Sequence, residues 1–123
     1  MVTKKQTLVP SDYAHLHNHT HHSLLDGMTK IQALVERVKM LGMEAVAITD
    51  HGTMSGTIEF YKACKSEGIK PIIGMEAYVA ARKHTAKDIN TDKARFHLII
   101  LAMNNVGSEN LRRLGTPAQR GGL

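Results

Sequence analysis

Ala45-Val46-Ala47-Ile48 is an unbroken apolar run too short for a helix, and a strand that lacks alternation is one buried on both faces. Such a strand needs helices against its sheet, and the flanking sequence supplies them. Thr29 to Leu41 places Ile31, Leu34, Val35, Val38 and Leu41 at spacings of three and four, with Gly42 at the expected stop. Ser55 to Ser66 carries Ile58, Tyr61, Ala63 and Cys64 on a rougher apolar face and closes at Gly68. Tyr13 to His19 reads as a strand ahead of the first helix, Glu44 to Thr49 as the second, Lys70 to Ala80 as the third and Phe96 to Met103 as the fourth. Strands alternating with helices predict an α/β fold of right-handed βαβ units around a parallel sheet. Arg82 to Arg95 turns polar and reads as an exposed loop, and the helix beginning at Glu109 is expected to stop near Leu114, where Gly115, Pro117, Gly121 and Gly122 follow.

Four such units are half of an eight-fold barrel, which takes about 250 residues, so this 123-residue chain cannot close one alone. The alternative is a small open sheet with helices on both faces. In a half barrel the apolar run Leu98-Ile99-Ile100-Leu101 is expected at an unpaired edge or in the open interior. Sixteen Lys and Arg against eleven Asp and Glu leave a formal charge of +5, which favours anionic partners such as phosphates or nucleic acid. The few aromatic residues, with no Trp, give no stacking platform of the kind a dedicated single-strand binder uses. Cys64 is the only cysteine, which excludes an intrachain disulfide and a thiolate-rich zinc knuckle and suits a reducing cytoplasm. Met1 to Thr7 is followed by no apolar leader segment, and no run approaches membrane-spanning length, so secretion and membrane insertion are disfavoured.

The chemistry lies in the histidines. Of eight in the chain, six fall in His15-Leu16-His17-Asn18-His19-Thr20-His21-His22 and Thr49-Asp50-His51-Gly52. An extended segment sends His15, His17 and His19 to one face. Active sites of parallel α/β folds gather at the carboxyl ends of strands, where His19, His51 and Glu76 fall, with Asp26 in the loop after the first strand. Imidazole and carboxylate together suit divalent zinc, manganese or iron, and a bridging carboxylate allows two or more ions. Ions about 3.5–4 Å apart clamp the oxygens of a phosphoester displacement, and a metal-bound water ionises near pH 7 without a serine or cysteine nucleophile. Cys64 is read as core. Glu76 interrupts an apolar strand, where a carboxylate is costly unless paired or metal-bound, so it is read as a ligand. His15 is read as a packing residue or one supporting the ligands from behind, and His21 and His22 as solvated. Asp50 either orients a ligand or caps the turn at Gly52. His97 opens its apolar run instead of closing it, and spacing alone leaves its role undecided. The glycines of Gly52 to Gly56 lack the Gly-Lys-Ser/Thr of a triphosphate-binding loop.

The stretches His15 to Thr20, Ser23-Leu24-Leu25-Asp26-Gly27, Ala47 to Gly52, Ile58 to Cys64, Gly68 to Glu76 and Phe96-His97-Leu98 resemble the polymerase and histidinol phosphatase (PHP) domain found at the N-terminus of bacterial DNA polymerase III alpha subunits. Ile58-Glu59-Phe60-Tyr61-Lys62-Ala63-Cys64 and Gly68-Ile69-Lys70-Pro71-Ile72-Ile73-Gly74 are similar to the replicative polymerase branch more than to free-standing phosphatases. The resemblance implies the first half of a distorted seven-stranded (β/α)7 barrel with a two- or three-metal centre at its mouth. By motif it implies metal ligands at His17, His19, Asp26, His51, Glu76 and His97, with His17, His19 and His51 acting through bound metal. It divides the chain into an extension at 1–12, an incomplete PHP domain at 13–114 and a tail at 115–123 that departs from the family and is expected to be disordered, as in a truncated or frameshifted reading. The implied parent is a cytoplasmic DNA-directed DNA polymerase whose PHP domain is a metal-dependent 3′–5′ exonuclease, with DNA and other replicase subunits as partners and no membrane. Two alternatives remain: a structural module without catalysis, and a stand-alone phosphoesterase of the histidinol phosphatase kind.

Overall fold

The computed structural model of the chain describes residues 8–24, 26–83, 88, 90 and 95–120. Helix α1 (Ile31–Met40) and helix α2 (Thr57–Glu67) form where the apolar periodicity places them. Each ends at a glycine held in the left-handed region, Gly42 at φ 75° and Gly68 at φ 72°, a conformation that costs other residues because of their Cβ. Strand β1 (Ala45–Ile48) runs parallel to strand β2 (Lys70–Ala80), with Ala45 opposite Lys70 and Ile48 opposite Ile73. Ile31, Val35 and Val38 of α1, Phe60 and Cys64 of α2, Val46 and Ile48 of β1, and Ile69 make one buried cluster. The helices thus cover the face of β1 that carries Val46 and Ile48, and Ala47 on the other face is buried as well. Within that cluster burial pushes the Cys64 thiol up to about 11, leaving it a core residue, as read, with little thiolate to react.

Tyr13 to His19 does not complete a regular strand. It runs along β1 with a single parallel bridge, His15 to Val46, because side chains take over part of the ladder. The Asn18 amide donates to the carbonyls of His15 and Ala47, and the Asn18 backbone exchanges bonds with the Thr49 hydroxyl.

The α/β class with flanking helices holds, but the fourth strand reverses the expected direction. Strand β3 (Arg95–Leu101) pairs antiparallel with β2 over its whole length, from Gly74 opposite Leu101 to Ala80 opposite Arg95. A parallel return needs a crossover, usually a helix, and the polar stretch after Ala80 carries no helical pattern. The sheet order among the described residues is β1-β2-β3, so β3 is an edge there, and Phe96 and Leu98 are more than half exposed on it.

Helix α3 (Asn105–Arg120) starts earlier and ends later than expected. The Asn104 side chain accepts the amide of Gly107, an N-cap that starts the helix four residues before Glu109. Glu109 pairs with Arg112 and Arg113 one turn on, Leu111 is buried, and the Thr116 hydroxyl donates to the Arg112 carbonyl. Pro117 lies in the last turn, where its missing amide forfeits one bond to the preceding turn. The helix therefore continues through Gly115, where disorder was expected; residues 121–123 lie outside the described residues.

Candidate metal centre

Parallel pairing resumes just past the end of β1 and sets the centre of the site. The Glu76 amide donates to the Asp50 carbonyl and the Gly52 amide to the Glu76 carbonyl, with His51 bridged to Glu76. Glu76 sits in the middle of β2 and not at its end, because the strand runs on to pair with β3. Its side chain is 1% exposed and lies among four imidazoles. Oε2 is 2.5 Å from His17 Nε2 and 2.7 Å from His19 Nε2. Oε1 is 3.2 Å from His51 Nδ1 and is also paired with His97 Nδ1. Asp26 Oδ2 lies 2.8 Å from His51 Nε2, and the His19 and His51 rings stand 3.9 Å apart. Burial alone would raise the Glu76 carboxyl, but hydrogen bonds from His19 and His17 and the charges of His51 and His19 outweigh it and hold the group below the ordinary glutamate value.

The six residues singled out as ligands thus come together in one place. They form three overlapping sets with ligand atoms close enough to share an ion: His17, His19 and Glu76; His19, Asp26 and His51; and His51, Glu76 and His97. His51 Nδ1 is buried and has no partner in hydrogen-bond geometry. A buried ring nitrogen without a hydrogen-bond partner is costly to a fold, and a bound cation would satisfy it. The donors, imidazole and carboxylate, are those of zinc, manganese or iron, so the residues fit the implied group.

Asp50 joins the segments that carry these residues. It is 1% exposed, and its carboxylate accepts the Thr20 amide at 2.5 Å, the Thr20 hydroxyl at 2.8 Å and the Ser23 hydroxyl at 2.8 Å. Ser23 Oγ in turn accepts the amide of His51. One buried carboxylate therefore ties the loop bearing Asp26 to the strand end bearing His51. Gly27 closes the loop, its amide bonded to the Ser23 carbonyl, where an added Cβ would stand 1.9 Å from the Thr20 carbonyl oxygen. His15 lies outside the cluster; its ring packs edge-on against Tyr13 at 5.4 Å while its carbonyl accepts the Ala47 amide. His22 is not a freely solvated loop residue. It lies against Gly56 with its Nδ1 3.3 Å from Ser55 Oγ.

Thr20, Ser23 and Tyr78 were given no role from the sequence. The first two were findable, since a buried Asp after an apolar strand demands donors. Tyr78, whose ring stacks 6.1 Å from His51 and stands 5.0 Å from His97, carries no comparable signal.

The PHP domain family matches residues 15–121. Among curated proteins, the DNA polymerase III subunit alpha of Helicobacter pylori is 52% identical over 108 residues, covering 86% of this chain and 9% of that protein. The subunit of the same name from Aquifex aeolicus is 48% identical over 118 residues, covering 91% and 10%, and that of Mycobacterium tuberculosis 43% over 121 residues, covering 88% and 10%. The chain spans about a tenth of the length of these relatives. Among solved structures, one described as a metal-dependent phosphoesterase from Bifidobacterium adolescentis aligns at TM-score 0.56 and 27% identity, over 81% of this chain and 32% of its own. An amidohydrolase from Chromobacterium violaceum shares the fold at TM-score 0.57 and 20% identity, over 89% of this chain and 39% of its own.

Proposed function

The chain belongs to the PHP domain family, and from that premise we propose that it is the front part of the PHP module of a bacterial replicative DNA polymerase alpha subunit, a metal-dependent phosphoesterase acting as a 3′–5′ exonuclease. The observation that carries this reading is the Glu76 carboxylate, buried and turned with one oxygen toward His17 and His19 and the other toward His51 and His97. That is the arrangement a carboxylate needs to serve two neighbouring cations. His17, His19, Asp26, His51, Glu76 and His97 would hold two or three divalent ions, zinc, manganese or iron, with further ligands from the rest of the barrel. Such ions supply charge against the phosphate and a water that ionises near pH 7. Asp50, through Thr20 and Ser23, keeps the Asp26 loop and His51 in register. His15 supports the first segment through its backbone, and its ring stays out of the site.

The relatives' names support DNA and other replicase subunits as partners of the longer protein, and the net charge of +5 suits a polyanion. Among the described residues no helix is long and apolar enough to cross a membrane; the cytoplasm is the compartment we propose, on the strength of the polymerase relatives. The test is His17→Ala in a full-length alpha subunit carrying the same motif. Degradation of a 3′ single-stranded end is expected to fall about a hundredfold or more, with nucleotide addition within about twofold of the parent. Equal loss of both activities would mean that the module braces the polymerase and does not hydrolyse.

A further inference from the structure

A second group of ligand atoms lies outside the centre already described. His21, His22 and Glu59 each offer one atom, all close enough to bind one ion. The group joins two elements: the two histidines are on the loop after the first segment, and Glu59 is in the first turn of α2. We propose that these three residues form an auxiliary site for a divalent transition metal, a zinc-type ion, which pins that loop to the start of α2.

The backbone under the site is fixed. The His21 amide donates to the Thr29 carbonyl, and the His22 amide donates to Thr20 Oγ1, itself held by the buried Asp50. The His22 ring lies in a place made for it: a Cβ on Gly56 would stand 2.7 Å from the ring's Cδ2, so a residue larger than glycine would push it away. Ser55 Oγ lies 3.3 Å from His22 Nδ1 and accepts a bond from Thr53 Oγ1. A hydroxyl oxygen that accepts the Nδ1 hydrogen fixes the tautomer that leaves Nε2 free for an ion. His22 Nε2 points at Glu59, 3.3 Å from its Oε2, and the His21 and His22 rings stand 4.4 Å apart. Two imidazoles and one carboxylate favour zinc, nickel, cobalt or copper over magnesium or calcium. With Glu59 54% exposed and His22 25% exposed, the remaining coordination positions face water.

This site stands apart from the central one in its ligands, so its fate is separable from that of the proposed function. The test uses the full chain, zinc titrated against a chromophoric chelator, and cobalt absorption as a second readout. Glu59→Gln and His21→Ala alter exposed side chains and are expected to keep the fold. Each should lose one zinc equivalent, or bind it about tenfold more weakly or worse, and should lose the matching share of cobalt absorption. Glu76→Gln should retain that equivalent while losing metal at the centre. Zinc stoichiometry and affinity unchanged in both Glu59→Gln and His21→Ala would overturn the proposal.

Discussion

Glu76→Gln is expected to weaken divalent metal binding at the central site by about a hundredfold or more, with the fold kept. The amide has the shape of the carboxyl but brings no charge, and its nitrogen presents hydrogens where an oxygen now faces either the pair His17 and His19 or the pair His51 and His97. Among the described residues Glu76 is the one carboxylate in two of the three overlapping ligand sets, as His19 and His51 are among the imidazoles, and it is the one whose loss also removes a negative charge from both. Loss of an orienting group behind a ligand typically costs 10- to 100-fold in metal affinity, and removal of the shared ligand itself should cost at least as much. Manganese or zinc titration by calorimetry checks it, with circular dichroism to show that the helices remain. Affinity within a few-fold of the unaltered chain would show that Glu76 is a structural acid paired with histidines.

Asp50→Ala is expected to cost stability on the scale of a large core truncation while leaving every ligand in place. Three donors end on this carboxylate, the Thr20 amide, the Thr20 hydroxyl and the Ser23 hydroxyl, and Thr20 and Ser23 are themselves fully buried. Stranding buried donors costs about 1–3 kcal/mol each, so a loss on the order of 3 kcal/mol or more is expected in denaturant unfolding, even with some relaxation of the loop. Asp50→Asn keeps one or two acceptor contacts and should lose less. Because the Asp26 loop would come free of His51, metal affinity should fall along with stability. A change under about 1 kcal/mol would mean that the loop is held by other contacts and that Asp50 acts only as a local cap.

Helices α1 and α2 and strand β2 were legible because their signals are local. Apolar spacing on α1, and glycines at 42 and 68 where the chain turns left-handed, fix both position and length. What sequence reasoning missed is non-local or depends on direction. His97 stayed undecided because a parallel strand would bring its carboxyl end to the site, and His97 stands near the start of its run. In the antiparallel β3 the start of the strand is the end that reaches the rim. His97 is paired with Tyr78, two residues on from Glu76 and on the same face of the strand. The sign of that reversal was available, since no helical pattern separates Ala80 from Arg95. Asp50 was read as either orienting a ligand or capping the turn at Gly52; its donors Thr20 and Ser23 could have been sought, because a buried Asp after an apolar strand demands partners, but the sequence does not say which loop residues supply them. The length of α3 was misjudged by weighing Gly115 and Pro117 as stops and overlooking Asn104 as a start.

The most direct test of the metal centre is anomalous X-ray scattering from crystals of the chain, or of a longer relative with the same residues, soaked in manganese or zinc. The expected result is at least two peaks within bonding distance, about 2.0–2.3 Å, of ligand atoms from His17, His19, His51, Glu76 and His97, with Glu76 contacting both. Absence of any peak among these residues at saturating metal, with the Glu76 carboxylate hydrogen-bonded directly to His17 and His19, would contradict the account.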